Sequence, residues 1–286
     1  MVNVKQKKMS GLYVVATPIG NISDITERAK SILQQADLIA CEDTRVTKKL
    51  LSLLNINFSH KKFITFHDHN EQQKTQEIIE LLQEGTHTIA QVSDAGSPLI
   101  SDPGYKLIRA CHEQNLPFSV IPGCCALICA LQLSGLPSNR FMFAGFIPNK
   151  DKARLDLFNE LKNIDTTLIF YETSPRLLKT LQVAEQVFCN REFSVAREIS
   201  KIYEECKTGF PAEIIEYYTK NPPKGEIVFM VAPPSKTESC NIDLNSILKQ
   251  KMQNSPLKTA VAQVVSEYNL NKNEVYRLAV KIKNES

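Results

Sequence analysis

The chain has 286 residues, 43% of them hydrophobic, enough for two ordinary domains with well-packed cores. Its 34 basic and 31 acidic residues leave a net charge of +3, a balance that neither implies nor excludes a nucleic-acid partner. None of the eight cysteines forms the paired C-x2-C spacing of a zinc site, so no metal is expected; Cys41 and Cys189 sit in or beside apolar runs as small hydrophobes, which points to a reducing cytoplasm. No apolar run approaches a membrane span, and the run after Lys5, Lys7 and Lys8 is too short for a signal segment.

Residues 12–16 predict a first strand that stops at Thr17-Pro18-Ile19-Gly20-Asn21. Asp24, three residues before Glu27, reads as a capping-box start to a helix through Ile25, Ala29, Ile32, Leu33 and Ala36. The same unit recurs. A strand at 38–41 leads through Glu42-Asp43-Thr44-Arg45 to a helix carrying Leu50, Leu51 and Leu54. Another at 63–66 leads through His67-Asp68-His69-Asn70-Glu71 to a helix that ends near Gly85.

The apolar run 88–92 enters a long loop, Ser93-Asp94-Ala95-Gly96-Ser97-Pro98-Leu99-Ile100-Ser101-Asp102-Pro103-Gly104-Tyr105, before a helix at Leu107, Ile108 and Ala110. Its two Ser-Asp pairs, two glycines and two prolines give restricted φ values, small side chains and carboxylates free to face a ligand. A strand at 118–121 breaks at Pro122-Gly123, and 124–133 is apolar enough for a buried helix, ended by Gly135-Leu136-Pro137.

The second half repeats the pattern: a strand at 141–145, a helix at 151–161, and a strand at 167–171 followed by Glu172-Thr173-Ser174-Pro175-Arg176, where Ser174 caps a helix with Pro175 in its first turn. Residues 193–196 form a strand leading to Arg197-Glu198-Ile199-Ser200-Lys201, and 227–231 close the series. Strands alternating with helices predict an α/β architecture. Residues 233–241 turn to Pro, Ser, Lys and Thr and read as a linker. Beyond it, helices at 256–265 and 274–282, joined by a turn at 269–272, make a helix-turn-helix-like tail bearing Lys258, Lys272, Arg277, Lys281 and Lys283. That tail is either a solvated face or a nucleic-acid contact.

G-x-G-x-x-G is absent after the first strand, which disfavours NAD and FAD; Walker A, G-x-S-x-G and His-Glu-x-x-His are absent too. What remains is a set of strand-end loops. If the strands are mostly parallel, these loops share one rim and form a small-molecule cleft.

Ala16-Thr17-Pro18-Ile19-Gly20-Asn21, Cys41-Glu42-Asp43-Thr44-Arg45, Phe66-His67-Asp68-His69-Asn70-Glu71, the loop from Ser93 to Tyr105 and Tyr171-Glu172-Thr173-Ser174-Pro175-Arg176 occur in this order. Together they resemble the branch of the tetrapyrrole (corrin/porphyrin) methylase family that modifies small-subunit ribosomal RNA, from Gly11 through the helical tail. The resemblance implies S-adenosylmethionine as methyl donor and the ribose 2′-hydroxyl of a cytidine in the decoding region of 16S ribosomal RNA as acceptor. It also implies a homodimer and two α/β domains with the donor between them, placed at 1–121 and 122–235, followed by a helical tail at 242–286.

Carried over residue by residue, the family's Gly-Asp-Pro donor loop falls on Ser93-Asp94-Ala95, with Gly96 and Ile100 beyond it. This chain departs from the usual Gly and Pro at Ser93 and Ala95. The Pro-Gly loop falls on Pro122-Gly123 with Cys125 and Ala126. Further donor contacts fall on Thr17, Pro18, Tyr171, Glu172, Ala196, Arg197 and Glu198.

Methyl transfer is an in-line displacement, so holding the acceptor oxygen about 3–3.5 Å from the methyl group supplies roughly 7–11 kcal/mol of barrier lowering. A general base adds about 10²- to 10⁴-fold. Candidates are Asp43, His67, Glu71 and Glu198, each alternatively a cap or a satisfied loop residue. Asp43, Asn70 and Glu71 are expected on the acceptor side, with Arg45 and Arg197 on phosphate or ribose, which the guanidinium fork suits. Two other readings stay open: a methylase of a small tetrapyrrole, and a non-enzymatic nucleic-acid-binding protein that acts through its tail.

Overall fold

The computed structural model describes residues 10–234, 244–268 and 272–284. The chain divides into two compact units, Met1–Pro233 and Pro234–Ser286. Residues 235–241 of the expected linker and 269–271 of the expected turn lie outside the described residues.

The first unit opens with β1 (Gly11–Val15), α1 (Glu27–Gln35), β2 (Leu38–Cys41), α2 (Thr44–Leu53), β3 (Lys62–Thr65), α3 (Glu71–Gln83), β4 (Thr88–Val92), α4 (Tyr105–Glu113) and β5 (Phe118–Ile121). The strands pair in the order β3-β2-β4-β1-β5, and every pairing is parallel. Period-2 alternation sends successive side chains to opposite faces. Ile39 and Cys41 of β2 thus join Ala29, Ile32 and Leu33 of α1 in one core. Leu38 and Ala40 join Ile78 and Ile79 of α3 and Leu107 of α4 in the other. Helices cover both faces, as a parallel sheet requires.

After α5 (Ala126–Ser134) come β6 (Phe141–Phe146), α6 (Asp151–Leu161), β7 (Thr167–Thr173), α7 (Leu177–Phe188), β8 (Phe193–Arg197), β9 (Glu205–Gly209), α8 (Pro211–Lys220) and β10 (Glu226–Val231). This sheet runs β6-β7-β10-β8-β9. Only β6 and β7 are parallel; the pairings of β10 with β7 and β8, and of β8 with β9, are antiparallel. The mostly parallel arrangement expected from sequence therefore holds for the first sheet and fails for the second. Its cause is the tight β8–β9 connection, which reverses the chain without a crossover helix. β9 does not show in the sequence pattern, because Glu205-Cys206-Lys207-Thr208-Gly209 has few apolar residues to alternate; α8, with Pro211 at its start and Ile214 and Tyr218 buried four residues apart, carries a helical pattern that the sequence reading passed over.

Two caps also differ from expectation. Asp24 ends a short 3-10 turn, and Thr26 caps α1 by accepting from Ala29 N at 3.1 Å. Ser174 begins another 3-10 turn, its hydroxyl donates to Gly225 O, and α7 starts only at Leu177.

The second unit holds α9 (Leu244–Asn254), α10 (Leu257–Tyr268) and α11 (Lys272–Asn284) around Leu248, Val261, Val264, Val275, Ala279 and Ile282. No described helix is long and apolar enough to cross a membrane. The second sheet's main core centres on Phe229, fully buried, stacked on Phe170 at 5.9 Å and edge-on to Phe193 at 5.1 Å. Phe229→Ala removes both ring contacts and leaves a cavity, so urea denaturation should show a loss of about 3–5 kcal/mol.

Candidate active site

β2 hands the chain outward to β3, whereas β4, its neighbour, hands it the other way to β5. Connections leaving adjacent parallel strands in opposite directions part at their carboxyl ends and open a crevice there. The residues at that parting are Glu42 and Asp43 after β2 and Ser93 and Asp94 after β4. A cavity of about 920 Å³ lies here, closed on its far side by Phe146, Tyr171 to Pro175 and 222–228 from the second sheet.

Its near wall is the loop after β4. Thr17 at the end of β1 pins that loop: its N–H donates to Gly96 O at 2.8 Å, Gly96 N donates back at 3.2 Å, and its hydroxyl donates to Ser93 O at 3.2 Å. Leu99 and Ser101 sit at φ of 72° and 65°, a left-handed backbone that costs non-glycine residues about 1–3 kcal/mol each and persists only where the surroundings enforce it. Gly104 closes the loop at φ 135°, where a Cβ would lie 2.1 Å from Gln91 Nε2, so no larger residue fits as built.

The cavity wall holds Glu42, Asp94, Asp102, Glu172 and Glu226 against one cation, Lys224, among the described residues. Two of these acids are already paired, Glu172 with Arg176 at 3.2 Å and Glu226 with Lys201 at 3.1 Å. Among the described residues Glu42, Asp94 and Asp102 form no ion pair, although the Arg45 guanidinium draws on Asp94 from a distance. Burial pushes the Asp94 and Asp102 carboxyls above their ordinary range. Burial, then repulsion from Asp102 and Asp94, pushes Glu42 up to about 7 despite the Ser93 hydroxyl on it. Glu42 Oε1 is hidden from solvent with no hydrogen-bond partner among the described residues. An acceptor-rich pocket short of positive charge suits a cationic ligand.

The profile of the tetrapyrrole (corrin/porphyrin) methylases matches residues 11–214. The chain belongs to the tetrapyrrole methylase family. Ribosomal RNA small subunit methyltransferase I of Rickettsia prowazekii (strain Madrid E) is 42% identical over 277 residues, which cover 96% of this chain and 98% of that protein. Its counterpart in Erythrobacter litoralis (strain HTCC2594) is 46% identical over 273 residues, 96% of this chain and 95% of that one. Among solved structures, the uroporphyrin-III C-methyl transferase of Thermus thermophilus complexed with S-adenyl homocysteine matches with a TM-score of 0.52 at 13% identity, covering 78% of this chain and 97% of that chain. The last match speaks to the fold alone.

Of the residues expected in a family donor site, Asp94, Ala95, Gly96, Ile100, Cys125, Ala126, Tyr171 and Glu172 line the cavity. Thr17, Pro18, Ser93, Pro122, Gly123, Ala196, Arg197 and Glu198 stand outside its lining. Several of these support it. Thr17 and Ser93 fix the loop, and a Cβ at Gly123 would lie 2.9 Å from that of Ala16, so glycine lets the two segments meet. Arg197 is held by Glu205 at 3.2 Å and Glu198 by Lys201 at 3.0 Å.

None of the expected acceptor-side residues, Asp43, Arg45, Asn70, Glu71 and Arg197, is in the cavity lining. Asp43 caps α2, accepting from Arg45 N at 2.7 Å, and its backbone N–H donates to Asp94 Oδ1 at 3.1 Å. Hydrogen bonds from Arg45, one at 2.6 Å, hold its carboxyl down at about 2, while 89% of the Arg45 side chain stays exposed. Glu71 is buried and does not line the cavity; its Oε1 accepts from Gly104 N at 2.9 Å and Lys106 N at 3.2 Å, anchoring the start of α4. Asn70 closes the β3–α3 loop, accepting from His67 N and donating to Thr65 O, each at 2.9 Å. His67 lies outside the lining as well.

Sequence reasoning passed over Glu42, Asp102, Phe146 and the wall at 222–228. Glu42 and Asp102 sat inside quoted motifs, where spacing gives no hint of which carboxylate turns inward. The wall at 222–228 joins the rim because β10 is antiparallel to β7, setting Glu226 opposite Thr173, which a parallel arrangement does not allow.

The raised pKa of Glu42 has a stability consequence. The folded protein binds this proton more tightly than the unfolded chain, so its contribution is whole below about 4.5 and is lost as pH rises through about 7. Glu42→Gln should therefore leave the melting temperature unchanged near pH 4. At pH 8 it should raise it by roughly 2–4 °C, the shift that about 1 kcal/mol produces in a domain of this size. Thermal melts at the two pH values measure it.

Proposed function

We propose that the protein transfers a methyl group from S-adenosylmethionine to the ribose 2′-hydroxyl of a cytidine in the decoding region of 16S ribosomal RNA, in the cytoplasm and as a homodimer. The observation that carries this reading is the cavity at the β2/β4 parting with three carboxylates that form no ion pair among the described residues, in a chain similar over nearly its whole length to ribosomal RNA small subunit methyltransferases I.

The residues present fit that donor. Ile100, Ala126, Ile227 and Val228 offer apolar wall for a purine, and Glu42, Asp94 and Asp102 offer acceptors for hydroxyls, an ammonium group and the charge of a sulfonium. A volume of about 920 Å³ lies at the upper end of the roughly 300–1,000 Å³ range of single-ligand pockets. The donor's chemistry is an activated methyl group on positively charged sulfur.

The chain's own tasks are to orient the acceptor, exclude water and take a proton. Asp43 is a weak base with its carboxyl at about 2, so we give it and Arg45 a positioning task, with the exposed guanidinium turned to RNA phosphate. Glu71 and Asn70 position the neighbouring loops. Glu42, at about 7, is matched to neutral pH as proton acceptor from the ribose hydroxyl. The helical unit supplies a further RNA contact: Lys258, Arg277, Lys281 and Lys283 are exposed, and Arg277 and Lys281 are four residues apart on α11. Val120 on β5 and Phe141 and Met142 on β6 expose apolar side chains on the edge strands of the two sheets, the surface assigned to the second copy.

The deciding experiment is mass mapping of ribose methylation in small-subunit RNA with and without the protein. One protein-dependent 2′-O-methylcytidine in the decoding region is expected, and none would refute the reading. Asp94→Asn should weaken donor binding in calorimetry by roughly 10- to 150-fold, the loss from a charged hydrogen-bond partner.

A further inference from the structure

Phe146 lines the far side of the cavity and holds neither donor nor proton in the reaction assigned above. We propose that Phe146 is the stacking platform for the nucleobase whose ribose receives the methyl group, an inference that rests on the reaction assigned above.

β6 is an edge strand, paired with β7 alone. Its register runs Phe141↔Thr167, Met142↔Leu168, Phe143↔Ile169 and then jumps to Phe146↔Tyr171, so three steps on β6 match two on β7. The extra residue is a bulge, and Gly145 at φ 73° supplies its left-handed backbone. The bulge changes which way Phe146 points. In an unbroken strand, residues 143 and 146 face opposite sides of the sheet; here both stand opposite residues of one face, Ile169 and Tyr171. Phe146 is thereby turned toward the cavity it lines.

The ring is also braced. Tyr171 meets Phe143 edge-on at 4.8 Å and Phe146 at 5.4 Å, and Phe143 packs into the core beneath α5. Yet Phe146 remains 57% exposed. A phenyl ring re-aimed by a bulge, held by a neighbouring ring and left largely open to solvent has a free face of the size and flatness of a base.

The occupant follows from where that face lies. Thr173, Ser174 and Pro175 line the cavity just beyond Tyr171, the strand partner of Phe146, whereas the loop carrying Asp94, Gly96 and Ile100 forms the wall at the β2/β4 parting. Where an acceptor nucleotide lies in a single-stranded loop or bulge, its base splays out of the stack and is held on an aromatic side chain. The exposure of Phe146 puts its ring where such a base can reach it from solvent.

The test compares wild type with Phe146→Ala, Phe146→Leu and Phe146→Tyr, reading kcat/KM for methyl transfer to small-subunit RNA and, separately, the donor Kd by calorimetry. Removing a base-stacking aromatic should lower kcat/KM by about 5- to 150-fold in the Ala variant. Tyr should restore it to within about threefold, Leu should not, and the donor Kd should stay within about twofold throughout, which also reports an intact fold. Unchanged kcat/KM in Phe146→Ala overturns the inference alone. So does rescue by Leu, which signifies apolar packing, and so does a parallel loss of donor affinity, which places Phe146 against the donor. A wild-type protein that transfers no methyl group to this RNA overturns the assigned reaction, and this inference with it.

Discussion

The structure depends on one topological constraint: β2 and β4 lie side by side and send their connections in opposite directions. Right-handed crossovers then put α1 and α2 on one face of the sheet and α3 and α4 on the other, as the two separate cores show. A hydrogen bond from Asp43 N to Asp94 Oδ1 ties the two loop starts together across the crevice. The capped start of α2, the pinned loop after β4 and the cavity all follow from that crevice.

Electrostatics at the crevice turns on a difference of one residue. Asp43 points along the N-terminus of α2, where backbone and guanidinium donors satisfy it and keep it ionised. Glu42, its neighbour, turns into the pocket, where burial and two other carboxylates favour its protonated form. Two adjacent acids thus acquire opposite tendencies from position alone. The pocket gathers more acidic than basic groups, and either protonation of Glu42 or a cation entering the pocket relieves their repulsion.

The second sheet contributes by curvature and reversal. Its antiparallel half brings residues 222–228 and the end of β7 to the same rim, and the bulge in β6 tilts an aromatic ring over it. Leu99 and Ser101 hold strained left-handed backbone in the loop after β4, whereas Gly145 takes the same region in the opposite bulge without strain. A loop pinned by Thr17 and anchored through Gly104 by Glu71 can hold such geometry, because the surrounding hydrogen bonds leave it no relaxed alternative.

Much of this was legible in the sequence. Apolar periodicity located nearly every strand and helix of the first sheet, since a buried parallel strand must be continuously apolar and its helices amphipathic. The proline, glycine and aspartate of residues 93–105 marked the long loop for what it is, and the family resemblance drawn from five loop motifs agrees with the matched profile. Local chemistry decided those features. Tertiary structure alone decided that β8, β9 and β10 run antiparallel, that Glu42 and not Asp43 turns inward, that Glu71 is spent on anchoring α4, and that Phe146 faces the cavity. Each of these depends on a partner distant in sequence: Thr173 for Glu226, Asp102 for Glu42, Gly104 for Glu71, Tyr171 for Phe146. Sequence periodicity reports how a residue stands to its own helix or strand, whereas orientation at a site is set by what packs across from it.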